Sequence, residues 1–179
     1  MKGVLCGMTG AGKSTLGEGM AKALNLPFFD TDRLIERQVA STTGKEMQCA
    51  AIFRQFGEEH FRKMERETLF SLQDVERAII AVGGGALLDG ESIALMERQG
   101  RIFYLYQELS ILQDRLSMRE ALPLVLDPRD PMRSFQLLYE ERDAFYRSLP
   151  AVEIVDLQNM TVEKSIDLLL QHWKREYGQ

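Results

Sequence analysis

A glycine-rich stretch with one lysine and two hydroxyl side chains follows a short apolar run near the start of the chain. It reads GMTGAGKST, from Gly7 to Thr15. The spacing Gly7-x-x-x-x-Gly12-Lys13-Ser14 is that of a phosphate-binding loop between a strand and a helix. Its chemistry follows from the residue types. Glycines let consecutive backbone N–H groups of Gly10, Ala11 and Gly12 turn toward one point, and the following helix adds its positive end. Lys13 supplies a mobile cation for the β- and γ-phosphates of a nucleotide. Ser14 and Thr15 supply hydroxyls, and that of Ser14 suits Mg²⁺, a hard ion that prefers oxygen. A nucleoside triphosphate and Mg²⁺ are the ligands expected.

Other residues with chemical capacity lie farther along. FFDTD places Asp30 and Asp32 where a second strand ends, the edge at which open α/β sheets bind ligands. Asp30 is a candidate to hold Mg²⁺ through water, and Asp32 to take the proton of an acceptor hydroxyl. The alternative is that one of them simply caps the next helix. The run Gly83-Gly84-Gly85 ends another strand and suggests backbone lying against a ligand, with a loose loop as the alternative. Arg142 falls on one helix face with Phe135, Leu138, Phe145 and Leu149. A cation on an apolar face needs an anion, from the protein or from a ligand, unless it reaches out to the helix edge. Arg62 has Glu58 and Glu65 at helical spacing, so by itself it reads as a surface ion pair. Arg115 and Arg119 flank a proline-containing segment and could close on phosphates. His60 and His172 read as lone structural histidines.

These residues need a scaffold, and the pattern supplies one. The 179 residues suit a single domain. The predicted strands are Val4 to Cys6, Pro27 to Asp30, Arg77 to Val82, Arg101 to Tyr106, and VEIV from Val152. Helices are predicted over Ser14–Leu24, Asp32–Val39, Glu58–Leu72, Glu91–Arg98, Glu108–Ser117, Asp130–Arg147 and Thr161–Glu176. One more is expected from a Thr43/Glu46 capping box near Gly44, ending at Gly57. Continuous apolar strands alternating with helices indicate a parallel sheet covered on both faces, an α/β/α sandwich. The segment from Met118 to Pro131 holds three of the five prolines and reads as a mobile lid.

Composition excludes some function classes. A net charge of −5 argues against a broad nucleic-acid face, and no apolar run reaches membrane-spanning length. Cys6 and Cys49 are far apart and without metal-ligand spacing, so both are expected as buried thiols in a reducing cytosol. No NKxD guanine-reading motif is present.

The segments GMTGAGKST, FFDTDRLIE, EEHFRKMERE, AVGGGALL and YEERDAFY, in this order, resemble the shikimate kinase family over essentially the whole chain. The resemblance implies a P-loop fold with five parallel strands in the order 2-3-1-4-5 and a lid at about 118–131. It implies transfer of the ATP γ-phosphoryl group, with Mg²⁺, to the 3-hydroxyl of shikimate. Lys13 and Asp32 would be catalytic, with Asp32 as base. Arg62, Arg142, Gly83, Gly84 and Gly85 would bind shikimate, within helices of about 32–72 and the strand ends. Ser14, and Asp30 through water, would serve the metal. Arg115 would lie against adenine. A cytoplasmic monomer is expected. The chain departs from the family pattern at Leu122, which precedes Pro123 where an arginine is usual; Arg119 is the nearest arginine. ERDAFY also lacks the usual proline after its arginine. A gluconate or nucleotide kinase, or a nucleotide-binding module without catalysis, are the competing expectations.

Overall fold

The computed structural model describes residues 1–118, 126, 127 and 129–177. Five strands form one parallel sheet: β1 (Lys2–Cys6), β2 (Phe28–Asp30), β3 (Ala78–Ala81), β4 (Gly100–Tyr106) and β5 (Val152–Asp156). Their spatial order is β2-β3-β1-β4-β5, the order expected. Lys2 pairs with Ala78 on one side and Gly100 on the other, so β1 is the central strand.

The alternation of side chains across the sheet divides the core in two. Leu5, Ile79, Phe103 and Val155 face α1 (Lys13–Leu24) and α8 (Val162–Tyr177), where Trp173 is buried. Val4, Ile80, Ile102 and Tyr104 form the other face, with Leu69 of α4 (Glu58–Ser71) and Met96 of α5 (Gly90–Gln99). A third cluster, Ile35, Val39, Ile52 and Phe61, ties together α2 (Thr31–Thr43), α3 (Cys49–Phe56) and α4. The remaining helices are α6 (Leu109–Ser117) and α7 (Pro131–Ser148), the latter capped by Asp130 with Pro131 at its start as expected. No helix among the described residues is long and apolar enough to cross a membrane.

Three expectations are corrected. No helix starts at Thr43: α2 runs on to that residue because Val39 continues its buried face, and Gly44 closes it in the left-handed region at φ 69°. Thr43 Oγ1 is occupied within this helix end, donating to Val39 O at 2.8 Å, so no capping box forms. Cys49 is only half-buried, at the start of α3, although both cysteines are free. His172 is not lone: its Nδ1 pairs with Glu153 across α8 and β5. His60, by contrast, is exposed and stacks on Phe56.

Candidate active site

The carboxyl ends of β1, β2 and β3 open into a cleft of about 370 Å³. Its floor is the loop after β1. Gly10 and Gly12 have φ of 90° and 92°, which L side chains rarely adopt, and they curl the main chain so that α1 begins under the cleft. Thr9, Lys13, Ser14, Thr15, Asp30, Asp32, Gly84 and Arg115 line the same space, so strands far apart in the chain bring these candidates together. Ala11, by contrast, is buried beneath the loop.

Lys13 Nζ donates to Gly7 O at 3.0 Å and Met8 O at 3.1 Å, folded against the loop that a phosphate would fill. Burial lowers its pKa, opposed chiefly by Asp32. Arg115 Nη1 donates to Gly10 O at 2.7 Å, so this arginine closes one side of the loop. Arg119, Leu122 and Pro123 lie outside the described residues.

Asp30 performs two tasks at once. Its Oδ1 accepts from the N–H groups of Asp32 and Arg33, capping α2, while Oδ2 accepts the Ser14 hydroxyl at 2.6 Å. Because Ser14 gives its proton to Asp30, its oxygen lone pairs are left for another partner. Two hard oxygen donors side by side in the phosphate cleft fit Mg²⁺, which takes few protein ligands and keeps nucleotide oxygens and water for the rest. Asp32 is not the cap. Its side chain points to the glycine run, and burial raises its pKa, with Lys13 pulling it back down.

At Gly83 the run departs from the sequence expectation. Gly83 N is engaged by buried Thr31, whose Oγ1 accepts at 3.0 Å, so that N–H is not free for a ligand. None of the three residues has positive φ. What they provide is room. A Cβ on Gly83 would meet Asp32 Oδ1 at 2.7 Å and Glu65 Oε1 at 2.8 Å; one on Gly84 would meet Arg142 Nη1 at 2.9 Å; one on Gly85 would meet Arg62 Cζ at 2.9 Å. Four charged side chains therefore converge on a main chain that has none of its own.

The two arginines differ. Arg62 Nη1 donates to Glu65 Oε2 at 2.6 Å and Nη2 to Glu58 Oε1 at 3.3 Å. The pairing expected from spacing is present, but it is no surface pair, because Glu65 is 2% exposed. Burial raises the Glu65 pKa and Arg62 opposes it. Arg142 is 5% exposed and forms no ion pair among the described residues, and its Nε is buried without a hydrogen-bond partner. Burial lowers its pKa. Of the readings open from sequence, the exposed edge is removed; among the described residues Glu65 and Glu141 act on Arg142 through their charge, and none pairs with it. Sequence reasoning did not single out Glu65 or Thr31 as part of the site. The i+3 spacing from Arg62 pointed to Glu65, but its burial was not legible.

The family model for shikimate kinase matches residues 9–174. The chain belongs to the shikimate kinase family. It is 31% identical to the shikimate kinase of Caldanaerobacter subterraneus subsp. tengcongensis, over 98% of each chain. It is 34% identical to that of Brucella canis, covering 97% of this chain and 84% of the relative. A solved shikimate kinase from Acinetobacter baumannii, in complex with shikimate, superposes with a TM-score of 0.83 at 26% identity, over 99% of this chain and 93% of the other. The shikimate kinase of Bacteroides thetaiotaomicron gives 0.81 at 28%, over 97% and 98%. A gluconokinase from Sinorhizobium meliloti gives 0.62 at 18%, over 99% and 96%, a likeness of fold alone. Membership of this kinase family makes ATP the co-substrate of the phosphate loop.

Proposed function

We propose that the protein transfers the γ-phosphoryl group of ATP to the 3-hydroxyl of shikimate, giving shikimate 3-phosphate. The observation that carries this reading is Arg142, a buried cation with no ion pair among the described residues, set against Gly84 at the end of the nucleotide cleft. A small acid supplies the missing charge, and a neutral polyol would leave the cation unpaired.

The roles follow from position. The curled loop and Lys13 bind the donor phosphates, once Lys13 leaves its two carbonyls. Ser14, and Asp30 by way of water, would hold Mg²⁺, which would supply charge neutralisation for the phosphoryl group in transfer. Asp32 orients the acceptor hydroxyl and accepts its proton. Arg142 receives the acceptor carboxylate, and Arg62 assists while held by Glu65. Gly83, Gly84 and Gly85 let these groups reach the acceptor. Arg115, beside Gly10, lies against the adenine. Helices within 32–72 form the acceptor side of one domain; most of the lid expected from sequence at 118–131 lies outside the described residues. A cytoplasmic monomer is the setting we infer, in keeping with two free thiols.

Catalysis here is positioning and charge neutralisation. Purified protein with Mg²⁺-ATP is tested for ADP release on shikimate, gluconate and a nucleoside monophosphate. Turnover on shikimate alone is expected. Activity on either of the others with none on shikimate overturns the reading, as does ATP binding by calorimetry with no phosphorylated product.

A further inference from the structure

Arg142 poses a question that its own contacts do not answer. With no ion pair to Arg142 among the described residues, the place of its guanidinium depends on the backbone that carries it. That backbone is one turn of α7, and the residues beside Arg142 dock it against β4. Asp143 Oδ1 accepts the Tyr104 hydroxyl at 2.8 Å, which ties α7 to β4. Asp143 Oδ2 accepts Arg147 Nε at 2.8 Å, and the Arg147 guanidinium lies 4.6 Å from the centre of the Tyr106 ring.

The fourth residue of this turn is Tyr146, which is fully buried. Its ring stacks on Tyr104 with centroids 4.9 Å apart. Its hydroxyl donates to Gly84 O at 3.4 Å. Gly84 is also the residue whose missing Cβ makes room for Arg142 Nη1. The three residues therefore close a small ring: Tyr146 holds the Gly84 carbonyl, Arg142 lies against the Gly84 Cα, and α7 joins Arg142 to Tyr146 one turn on.

We propose that Tyr146 is a positioning residue for acceptor binding, its hydroxyl holding the Gly84 main chain in register with the Arg142 guanidinium. This rests on the reading of Arg142 as the site of the acceptor carboxylate. Tyr146 touches neither substrate. It acts by keeping fixed the separation between the helix that carries the cation and the loop against which the acid must lie. A carboxylate held by a planar fork is sensitive to such displacement, because both of its hydrogen bonds change together. Tyr104 and Asp143 support the same turn from the sheet side, so Tyr104→Phe acts in the same direction.

The test is a double-mutant cycle on steady-state kinetics of the full chain, with shikimate and ATP varied separately. Tyr146→Phe removes one oxygen and keeps the ring stacked. It is expected to raise the shikimate KM by up to about five-fold, the upper end for one neutral hydrogen bond as long as this one, with the ATP KM unchanged. Arg142→Ala is expected to raise the shikimate KM at least ~30-fold. In the Arg142→Ala background, Tyr146→Phe is expected to change the shikimate KM less than about two-fold, because the group it positions is gone. The same rise in both backgrounds overturns the proposal and makes Tyr146 a general support. So does an unchanged shikimate KM in Tyr146→Phe when Arg142→Ala raises it. If Arg142→Ala itself leaves that KM unchanged, the reading of Arg142 fails first and this inference falls with it. Should Tyr146→Phe not fold, Tyr104→Phe is put through the same cycle, with the same outcomes counting for and against.

Discussion

Replacing Arg142 with methionine should strengthen the empty protein while disabling acceptor binding. Arg142 is 5% exposed, has no ion pair among the described residues, and leaves its buried Nε without an acceptor. A buried polar group in that condition costs roughly 1–3 kcal/mol, and methionine fills a similar volume with no polar atom. The neighbouring Glu65 returns part of this cost through its charge, so about 1 kcal/mol of net stabilisation is the lower expectation. For a chain of this size that is about 2–4 °C in Tm, read by thermal unfolding without ligands. The other side of the exchange is the loss of charge-assisted bonds to a carboxylate. At about 3 kcal/mol for a two-pronged contact, the shikimate KM should rise roughly 150-fold, with the ATP KM little changed. A lower Tm in Arg142→Met would refute the claim that this cation is stored unpaired. A shikimate KM within about three-fold of the unmodified protein would refute its assignment to the acceptor.

Gly85→Ala should displace the Arg62 guanidinium, because its Cβ would lie 2.9 Å from Arg62 Cζ. That group is the far end of a flexible, partly exposed side chain and can shift while keeping contact with Glu65, so we expect a loss of about 1 kcal/mol in denaturant unfolding and a raised shikimate KM. Asp30→Asn keeps an oxygen for the α2 cap but replaces the acceptor of the Ser14 proton. The expected result is a near-normal Tm with a raised Mg²⁺-ATP KM, whereas Asp30→Ala also costs about 1 kcal/mol of stability. Burial raises the Asp32 pKa, so the acid limb of kcat should fall above the ordinary carboxylate value of 3.8, and Asp32→Asn should lose turnover while keeping ATP affinity. The sign for stability is opposite to that of a salt-bridged acid. The penalty of burying this charge sets in as pH rises from 3.8 through the raised value, so unliganded Asp32→Asn should be the more stable form at neutral pH, an advantage that vanishes at low pH. Cys6, whose thiol burial pushes up to about 12, should resist alkylation at pH 8 in the native protein and react in denaturant.

The parallel sheet was legible because β1, β3 and β4 carry apolar runs with glycine at or near one end, and because Asp130-Pro131 and Gly57 punctuate the helices by local rules. The phosphate loop was legible because nine adjacent residues carry its chemistry unaided. The false helix start at Thr43 shows where local rules give way. Thr43, Gly44 and Glu46 satisfy a capping pattern, yet Val39 buries against Ile35, Ile52 and Phe61, and that contact carries α2 through to Thr43.

The amino-acid order by itself determined the sheet's composition, the donor loop and the identity of the charged residues, since each depends on residues near one another in the chain. Which charges meet was decided only in three dimensions. Glu65 turned from an apparent surface partner into a buried counter-charge, Arg142 was left without an ion pair among the described residues, and the three glycines make space for side chains from α2, α4 and α7. The physical reason is that burial and Coulomb energy depend on separations across the fold, and spacing along one helix carries no record of what the sheet packs against it.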